Sequence, residues 1–323
     1  MIGVARQSLF LVALSLTLVS AAEAAISAPG WLMRMDQAAK RVSYTGTFVY
    51  QHGNLLETMR IFHRVGADGV RELLESLNGV RREIIRGHRQ IKCYFPNEDA
   101  LVIERARVVH AGFPSALPQH LKQLSRYYVF HLGGEGRVAG RIAQIVLIQP
   151  RDGYRYGYRL WADKATGLLL RSDLVDEHGK IIEQFMFTQI HPRTHIPISD
   201  LELPHDRTRH WQREAAEVPA SGRAGWVARR LPHGFHRIAY LVRQQTPGRP
   251  RVRHLVYSDG LAAVSVFIQR LPAGDHSAMV GLRRMGAVHM YGKVVAGHQV
   301  TVMGEVPKAT VALIGRSVVQ ETP

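Results

Sequence analysis

The run Tyr154-Arg155-Tyr156-Gly157-Tyr158-Arg159-Leu160-Trp161 alternates with a period of two. Tyr154, Tyr156, Tyr158 and Leu160 fall on one face of an extended chain, and Arg155 and Arg159 on the other. The chain then turns at Asp163–Gly167, returns as Leu168–Asp173, turns at Asp176-Glu177-His178-Gly179 and returns as Ile181–Ile190. Connections this short force antiparallel neighbours, because a parallel pair needs a crossover of about a dozen residues.

The same period runs upstream. Thr45–Gln51, Glu57–Arg64, Glu83–Arg86, Gln90–Phe95, Leu101–Val109, Tyr128–Leu132 and Arg141–Gln149 read as strands, with turns such as His52-Gly53-Asn54 and Ala67-Asp68-Gly69. Two stretches break it at helical spacing: Trp31 to Val42, with Pro29 early enough to start a helix, and Pro114 to Tyr128. The expectation is a meander with one apolar face and one or two helices to cover it. His205 to Gly225 is polar, carries Pro and Gly and lacks periodicity, so it reads as a linker between domains at 25–204 and 226–323. Beyond it, Phe235–Arg243, Arg253–Tyr257, Leu261–Gln269, Val288–Val295 and Gln299–Val306 read as strands, followed by a helical tail through Val311, Ile314 and Val318. The fold class is mainly β, of the α+β type, with the smaller α+β domain at the C-terminal end.

Residues 1–24 read as a secretory leader: Arg6 flanks an apolar core from Leu9 to Val19, and Ala22-Glu23-Ala24 is a small-x-small cleavage site. About eleven apolar residues cannot cross ~30 Å of hydrocarbon. The expectation is a soluble exported protein that begins near Ala25. With 42 Lys and Arg against 26 Asp and Glu, the 323-residue chain carries +16, and losing Arg6 and Glu23 leaves that unchanged. Export removes nucleic acid as a partner and leaves anionic lipid, lipopolysaccharide phosphate, an acidic peptide, or simply a solvated basic surface.

No catalytic constellation emerges. G-x-S-x-G and H-E-x-x-H are absent. Gly134-x-Gly136-x-x-Ala139 imitates a dinucleotide fingerprint but precedes a β-branched, extended run, so a hairpin loop is the expected reason for those glycines. His191, His195, His205 and His210 cluster, yet Pro192 and Pro197 spoil helical ligand spacing, so no metal site is expected. The single cysteine, Cys93, rules out an internal disulfide and reads as a small buried core residue on a strand. Phe48, Tyr50, Met59, Ile61, Tyr156, Tyr158, Leu160, Phe185 and Phe187 on the apolar meander face are either filled core or the lining of an acyl-chain cavity. Arg283 and Arg284, in an otherwise apolar stretch, are candidates for an anionic ligand or an acidic partner.

Leu73-Leu74-Glu75-Ser76-Leu77-Asn78-Gly79-Val80-Arg81-Arg82-Glu83-Ile84-Ile85-Arg86 resembles the "ERLxSLDGxxREVIR" block of the MucB/RseB family. Tyr44–Tyr50, Arg137–Arg141, Tyr154–Leu170, Leu231–Phe235, Tyr257–Phe267 and Thr301–Pro307 resemble further blocks in family order. Leu74 replaces an arginine, Asn78 an aspartate, and Ala162 interrupts the usual "LWLD". The resemblance implies a half-open β-barrel similar to the lipoprotein carriers LolA and LolB, with a helical plug and a smaller C-terminal domain. It also implies a periplasmic negative regulator without a cofactor. Such a protein binds the periplasmic part of an RseA- or MucA-type anti-sigma factor, shields it from site-1 proteolysis and is released by lipopolysaccharide or mislocalised lipid. Lipoprotein acyl chains and a second copy of the chain are further possible partners. The rival is a lipid or lipoprotein carrier, which accounts for the first domain but not the second.

Overall fold

A computed structural model describes residues 26–87, 90–97, 100–105, 121–193, 195–202, 217–219, 224–243, 251–272, 274 and 277–321. The leader, the first part of the expected helix at 114–128, His205 and His210 lie outside these residues.

Helix α1 (Ala28–Arg41) starts where Ser27 Oγ accepts the Gly30 N–H at 3.3 Å, with Pro29 in its first turn. It buries Trp31, Leu32, Met35 and Ala38 along one stripe. The strands β1 (Ser43–His52), β2 (Leu55–Gly66), β3 (Gly69–Ser76), β4 (Glu83–Arg86), β5 (Gln90–Phe95) and β6 (Ala100–Arg105) follow as antiparallel neighbours. After the one-turn α2 (Leu121–Leu124), the strands β7 (Tyr128–Val138), β8 (Arg141–Pro150), β9 (Gly157–Asp163), β10 (Leu169–Val175) and β11 (Ile181–Arg193) complete one sheet. Its order is β6-β5-β4-β3-β2-β1-β11-β10-β9-β8-β7. The sheet is not closed: β6 and β7 are its two ends, which fits a half-open barrel.

Among the described residues the apolar face is packed. Phe48 stands opposite Met59 on β2 and Phe187 on β11. The Phe48, Phe185 and Phe187 rings meet edge to face at 5.0–5.9 Å. With Ile61, Leu74 and Leu170 they form one core that takes in Ala38 of α1, while Trp31, Leu32 and Met35 pack on Val146, Ile148 and Leu160.

Strand β3 was not among the expected strands. Leu73 and Leu74 are consecutive and both buried, which conceals the alternation. Leu74 points into the main core, and Leu73 packs on the other face against Ile196 and Leu201, beside a short 3-10 helix at Ile198–Leu201. The expected hairpin loop at Gly134–Gly136 is also corrected. Those glycines lie inside β7, at a register shift between Leu132 and Glu135, and the turn is Ala139-Gly140, both at positive φ. Gly136 is where the strand passes close to Trp161: a Cβ there would lie 2.9 Å from the indole nitrogen. Cys93 is half-buried on β5 rather than fully buried.

The second part of the chain begins with β12 (Glu217–Pro219) and β13 (Trp226–Ala228) and continues through β14 (His236–Arg243), β15 (Val252–Ser258) and β16 (Ala263–Arg270). It then runs through β17 (Gly281–Met285), β18 (Val288–Val295), β19 (His298–Gly304), α3 (Lys308–Ser317) and β20 (Val318–Gln320). Seven of these strands form a sheet ordered β12-β14-β15-β16-β19-β18-β17, and β13 pairs with β20. Val311 and Ile314 of α3 pack with Trp226, Tyr257, Val266 and Val302 in a core of their own. Strand β17, also unforeseen, is an end strand of this sheet, exposed along four of its five residues.

Candidate functional site

Two surfaces and one junction hold the residues singled out from the sequence. Of the nine cavity candidates, Phe48, Met59, Ile61, Tyr156, Leu160, Phe185 and Phe187 are at most 5% exposed, and among the described residues their side chains fill the interior. Tyr50 and Tyr158 are half-buried; Tyr50 packs on the first sheet's core, and Tyr158 on the cluster that includes Ala287 of the second sheet. Burial, and after it the repulsion of Glu183 and Glu305, raises the Tyr50 hydroxyl; burial and then Glu305 do the same for Tyr158.

Arg283 and Arg284 lie on β17, opposite Met290 and His289 of β18. Among the described residues their side chains bond to nearby backbone, Arg283 to the carbonyl of Leu282 and Arg284 to that of Gly286. Val280 (61%), Leu282 (41%) and Met285 (62%) are exposed beside them, so the strand presents apolar and cationic groups together on an edge that, among the described residues, has no neighbouring strand. Behind Leu282, a groove of about 510 Å³ runs along α3. Its floor is Ala309, Ala312 and Leu313, and Arg230, Lys308 and Arg316 stand around it without an acidic residue in the lining. A planar guanidinium binds phosphate or carboxylate through paired hydrogen bonds, so this surface suits an anionic group attached to an apolar one.

A second groove, of about 430 Å³, is lined by Thr45, Arg60, His191, Arg193, His195 and Asp200 among others. Two of the four clustered histidines therefore share a basic groove on the first sheet. Among the described residues no group of three or more His, Cys, Asp or Glu could hold a metal ion.

The junction is what sequence reasoning missed. Arg155 was expected on the outer polar face of a strand, but β9 starts only at Gly157. Asp152 accepts the Tyr154 N–H in a tight turn, and this sends Arg155 inward, where its side chain is 0% exposed. Its Nε donates to Asp259 Oδ2 at 2.5 Å, its other nitrogens reach Asp152 and the His233 carbonyl, and its guanidinium lies over Tyr127, Tyr128 and Phe235. Asp259, also 0% exposed at its side chain, accepts the Tyr128 hydroxyl at 3.1 Å, and its Oδ1 accepts the N–H groups of Leu261 and Ala262. Thr310 Oγ1 donates to the Tyr154 carbonyl at 2.6 Å, and the Tyr156 hydroxyl meets His289 Nδ1 at 3.2 Å. Side chains of the first sheet's loops thus bind the second sheet's turns directly.

The order of these elements matches known proteins along the whole chain. The family model described as the MucB/RseB N-terminal domain matches residues 27–206, and the MucB/RseB C-terminal domain matches residues 220–319. The sigma factor AlgU regulatory protein MucB of Pseudomonas aeruginosa is 36% identical over 320 residues, covering 96% of each chain. The sigma-E factor regulatory protein RseB of Escherichia coli is 28% identical over 306 residues, covering 93% of each. Among solved structures, MucB in complex with MucA(peri) superposes with a TM-score of 0.69 at 32% identity, over 92% of this chain and 100% of that one. The Pseudomonas aeruginosa MucA/MucB complex gives 0.71 at 33%, over 92% and 99%. These relatives are named as regulators and not as enzymes. With both family models matched in order and more than a third of its residues shared with MucB, this chain belongs to the MucB/RseB family.

Proposed function

We propose that this protein is a periplasmic regulator that binds the periplasmic segment of a membrane anti-sigma factor and shields it from site-1 proteolysis until lipid or lipopolysaccharide displaces it. The observation that carries this reading is the end-to-end likeness to MucB, including structures of MucB bound to MucA. The mechanism is occlusion: no bond is made or broken, and a ligand favours release only by its difference in affinity for the free and bound states.

The surface we assign to both ligands is the β17 edge with the α3 groove. An extended acidic segment can add to the free edge of β17, where Arg283 and Arg284 meet its carboxylates. A lipid phosphate competes for the same cations, with its chain over Leu282, Ala309 and Leu313. The filled interior of the first sheet weighs against the alternative reading as a lipid or lipoprotein carrier, because its apolar face already has an occupant in α1.

The test is cleavage of a purified anti-sigma periplasmic domain by its site-1 protease, with and without this protein and then with added lipopolysaccharide. Protection, lost on adding lipopolysaccharide, is expected. The double variant Arg283→Glu, Arg284→Glu should protect at least tenfold less well. Equal cleavage with and without the wild-type protein refutes the function, whereas full protection by the double variant refutes only the surface.

A further inference from the structure

One end of the first sheet exposes apolar side chains on a backbone whose polar groups are already bonded. Leu55 and Leu56 begin β2, and Leu77 and Val80 flank the turn between β3 and β4. These four are between 45% and 61% exposed. They lie close together. Asn78 Nδ2 donates to the Leu56 carbonyl at 3.0 Å and its Oδ1 accepts the Thr58 N–H at 2.6 Å, which fastens the β3–β4 turn to the first residues of β2. Gly53, two residues before Leu55, is where the β1–β2 turn meets the β17–β18 turn: a Cβ built on it would lie 3.4 Å from Gly286 Cα, next to the exposed Met285. The β3–β4 turn also satisfies itself. The Leu77 N–H donates to the Thr58 carbonyl at 2.8 Å, and the Ser76 hydroxyl donates to the Val80 carbonyl at 3.1 Å and accepts the Arg82 N–H at 2.8 Å. Gly79 takes the positive φ of the turn, and a Cβ built there would meet no atom within 4 Å.

We propose that this tip is a membrane-docking surface, which seats the protein on an anionic phospholipid bilayer by placing Leu55, Leu56, Leu77 and Val80 among the headgroups. Shape favours a bilayer over a folded partner. None of these residues lines either groove described above, so a peptide has nothing to lie in, whereas burial among headgroups is non-directional and needs no matching surface. Hydrogen bonding points the same way. A turn that leaves water must not carry unpaired N–H and C=O groups with it, and Asn78 and Ser76 supply the partners that water would otherwise provide. Charge completes the pattern. Arg81, next to Val80, is 60% exposed at its side chain and reaches Glu83 only at 3.8 Å; Arg82 is bonded to Glu57 at 2.5 Å; and the chain as a whole carries +16. Cations behind an apolar tip meet lipid phosphates while the apolar groups enter between them. Leu282 and the α3 groove are not part of the inserted set. For a partner anchored in the same bilayer, as in the function proposed above, docking raises the effective concentration of the shield at the segment it protects.

The test is cosedimentation of the purified protein with vesicles of phosphatidylethanolamine and phosphatidylglycerol, and with vesicles of phosphatidylcholine alone. Binding to the anionic vesicles should be at least about tenfold tighter than to the neutral ones, and salt should weaken it. The triple variant Leu56→Gln, Leu77→Gln, Val80→Gln should bind the anionic vesicles at least about tenfold more weakly. All three positions are exposed, so its thermal melting should match the wild type, and Leu282→Gln, in the α3 groove, should leave vesicle binding unchanged. In a Cys93→Ala background, an environment-sensitive dye at Val80→Cys should shift to the blue on adding anionic vesicles. The same dye at Ile142→Cys, exposed at the opposite end of the strands, should not. No binding to the anionic vesicles overturns the proposal, as does equal affinity for the two kinds of vesicle, binding that the triple variant retains, or a dye shift of equal size at both positions. If the triple variant keeps its vesicle binding and loses the anti-sigma segment in their absence, the tip belongs to a protein partner and the proposal is equally overturned. The vesicle measurements do not involve the partner, so their failure leaves the proposed function standing.

Discussion

Asp259→Asn is the sharpest perturbation of the junction, because it removes one charge and little else. An asparagine Oδ1 can still accept the Leu261 and Ala262 N–H groups at 2.9 and 2.8 Å, so the turn survives. Its Nδ2, however, occupies the place of Oδ2, and a donor then faces the Arg155 Nε–H and the Tyr128 hydroxyl. Arg155 cannot shed its proton and, in a site from which its side chain sees no water, keeps only the half-buried Asp152 as a carboxylate partner among the described residues. Removing one member of a buried pair costs about 3–5 kcal/mol, a large share of the roughly 5–15 kcal/mol that holds a domain folded. Asp259→Ala should cost more, since it also forfeits the two turn hydrogen bonds at about 1 kcal/mol each. Arg155→Met with Asp259→Leu removes both charges, and should cost less than the sum of the two single changes by at least ~2 kcal/mol. Urea unfolding followed by tryptophan fluorescence reads all of these, with Trp31 and Trp161 reporting the first sheet and Trp226 the second. In Asp259→Asn the two reporters should no longer unfold together. A cost below about 1 kcal/mol, or strict additivity in the double variant, would refute the view that this pair joins the sheets.

Glu183 gives the pH dependence a definite sign. Its carboxyl titrates near 4.5 unperturbed and about 7 in the folded protein, so the folded state holds the extra proton between those values. Stability is therefore full below about pH 4.5 and declines as pH rises through about 7, by at most ~3 kcal/mol; thermal melting of wild type against Glu183→Gln should show the slope only in the former. Gly234 adopts φ +91° with its α-carbon against the Tyr127 ring, so Gly234→Ala should destabilise by at least ~1–3 kcal/mol, with hydrogen exchange rising first around Tyr127 and His233. Phe187→Ala should cost about 3–5 kcal/mol if the first sheet's interior is packed as described; a cost near zero would show that the ring borders an open cavity.

Much of the architecture was legible because alternation survives wherever one face of a strand is buried and the other is wet. Tyr158 and Leu160 kept their common face, and His52-Gly53-Asn54 made the turn expected of it, with Gly53 at positive φ between β1 and β2. The period failed where a strand is buried on both faces. Leu73 and Leu74 belong to different clusters, and the charged residues between them and the strand ends are used across the sheet, Glu72 against His63 and Glu75 against Arg60. Strand β17 escaped for the opposite reason, since almost none of it is buried. The chemistry of the junction was least legible. Arg155 and Asp259 lie 104 residues apart, each in a turn whose local residues explain it fully, so nothing nearby marks either as the partner of a distant charge.

The stretches that carry the family resemblance converge on that junction more than on any pocket. Tyr154–Leu170 supplies Arg155, Tyr156 and Tyr158; Leu231–Phe235 supplies the His233 carbonyl and Phe235; Tyr257–Phe267 supplies Asp259; Thr301–Pro307 supplies Glu305 and the Val306 carbonyl. These residues make a particular fit between two sheets that each have a core of their own. The free edge of β17 ends at Met285, next to the Gly286 turn that touches the β1–β2 hairpin. The partner segment proposed for β17 would therefore end against the contact between the two sheets. A coupling between that segment and the packing of the two sheets would by reciprocity act equally in both directions. Asp259→Asn, which loosens that packing, should then weaken partner binding measured by calorimetry; an unchanged affinity would show that the partner does not bind at β17.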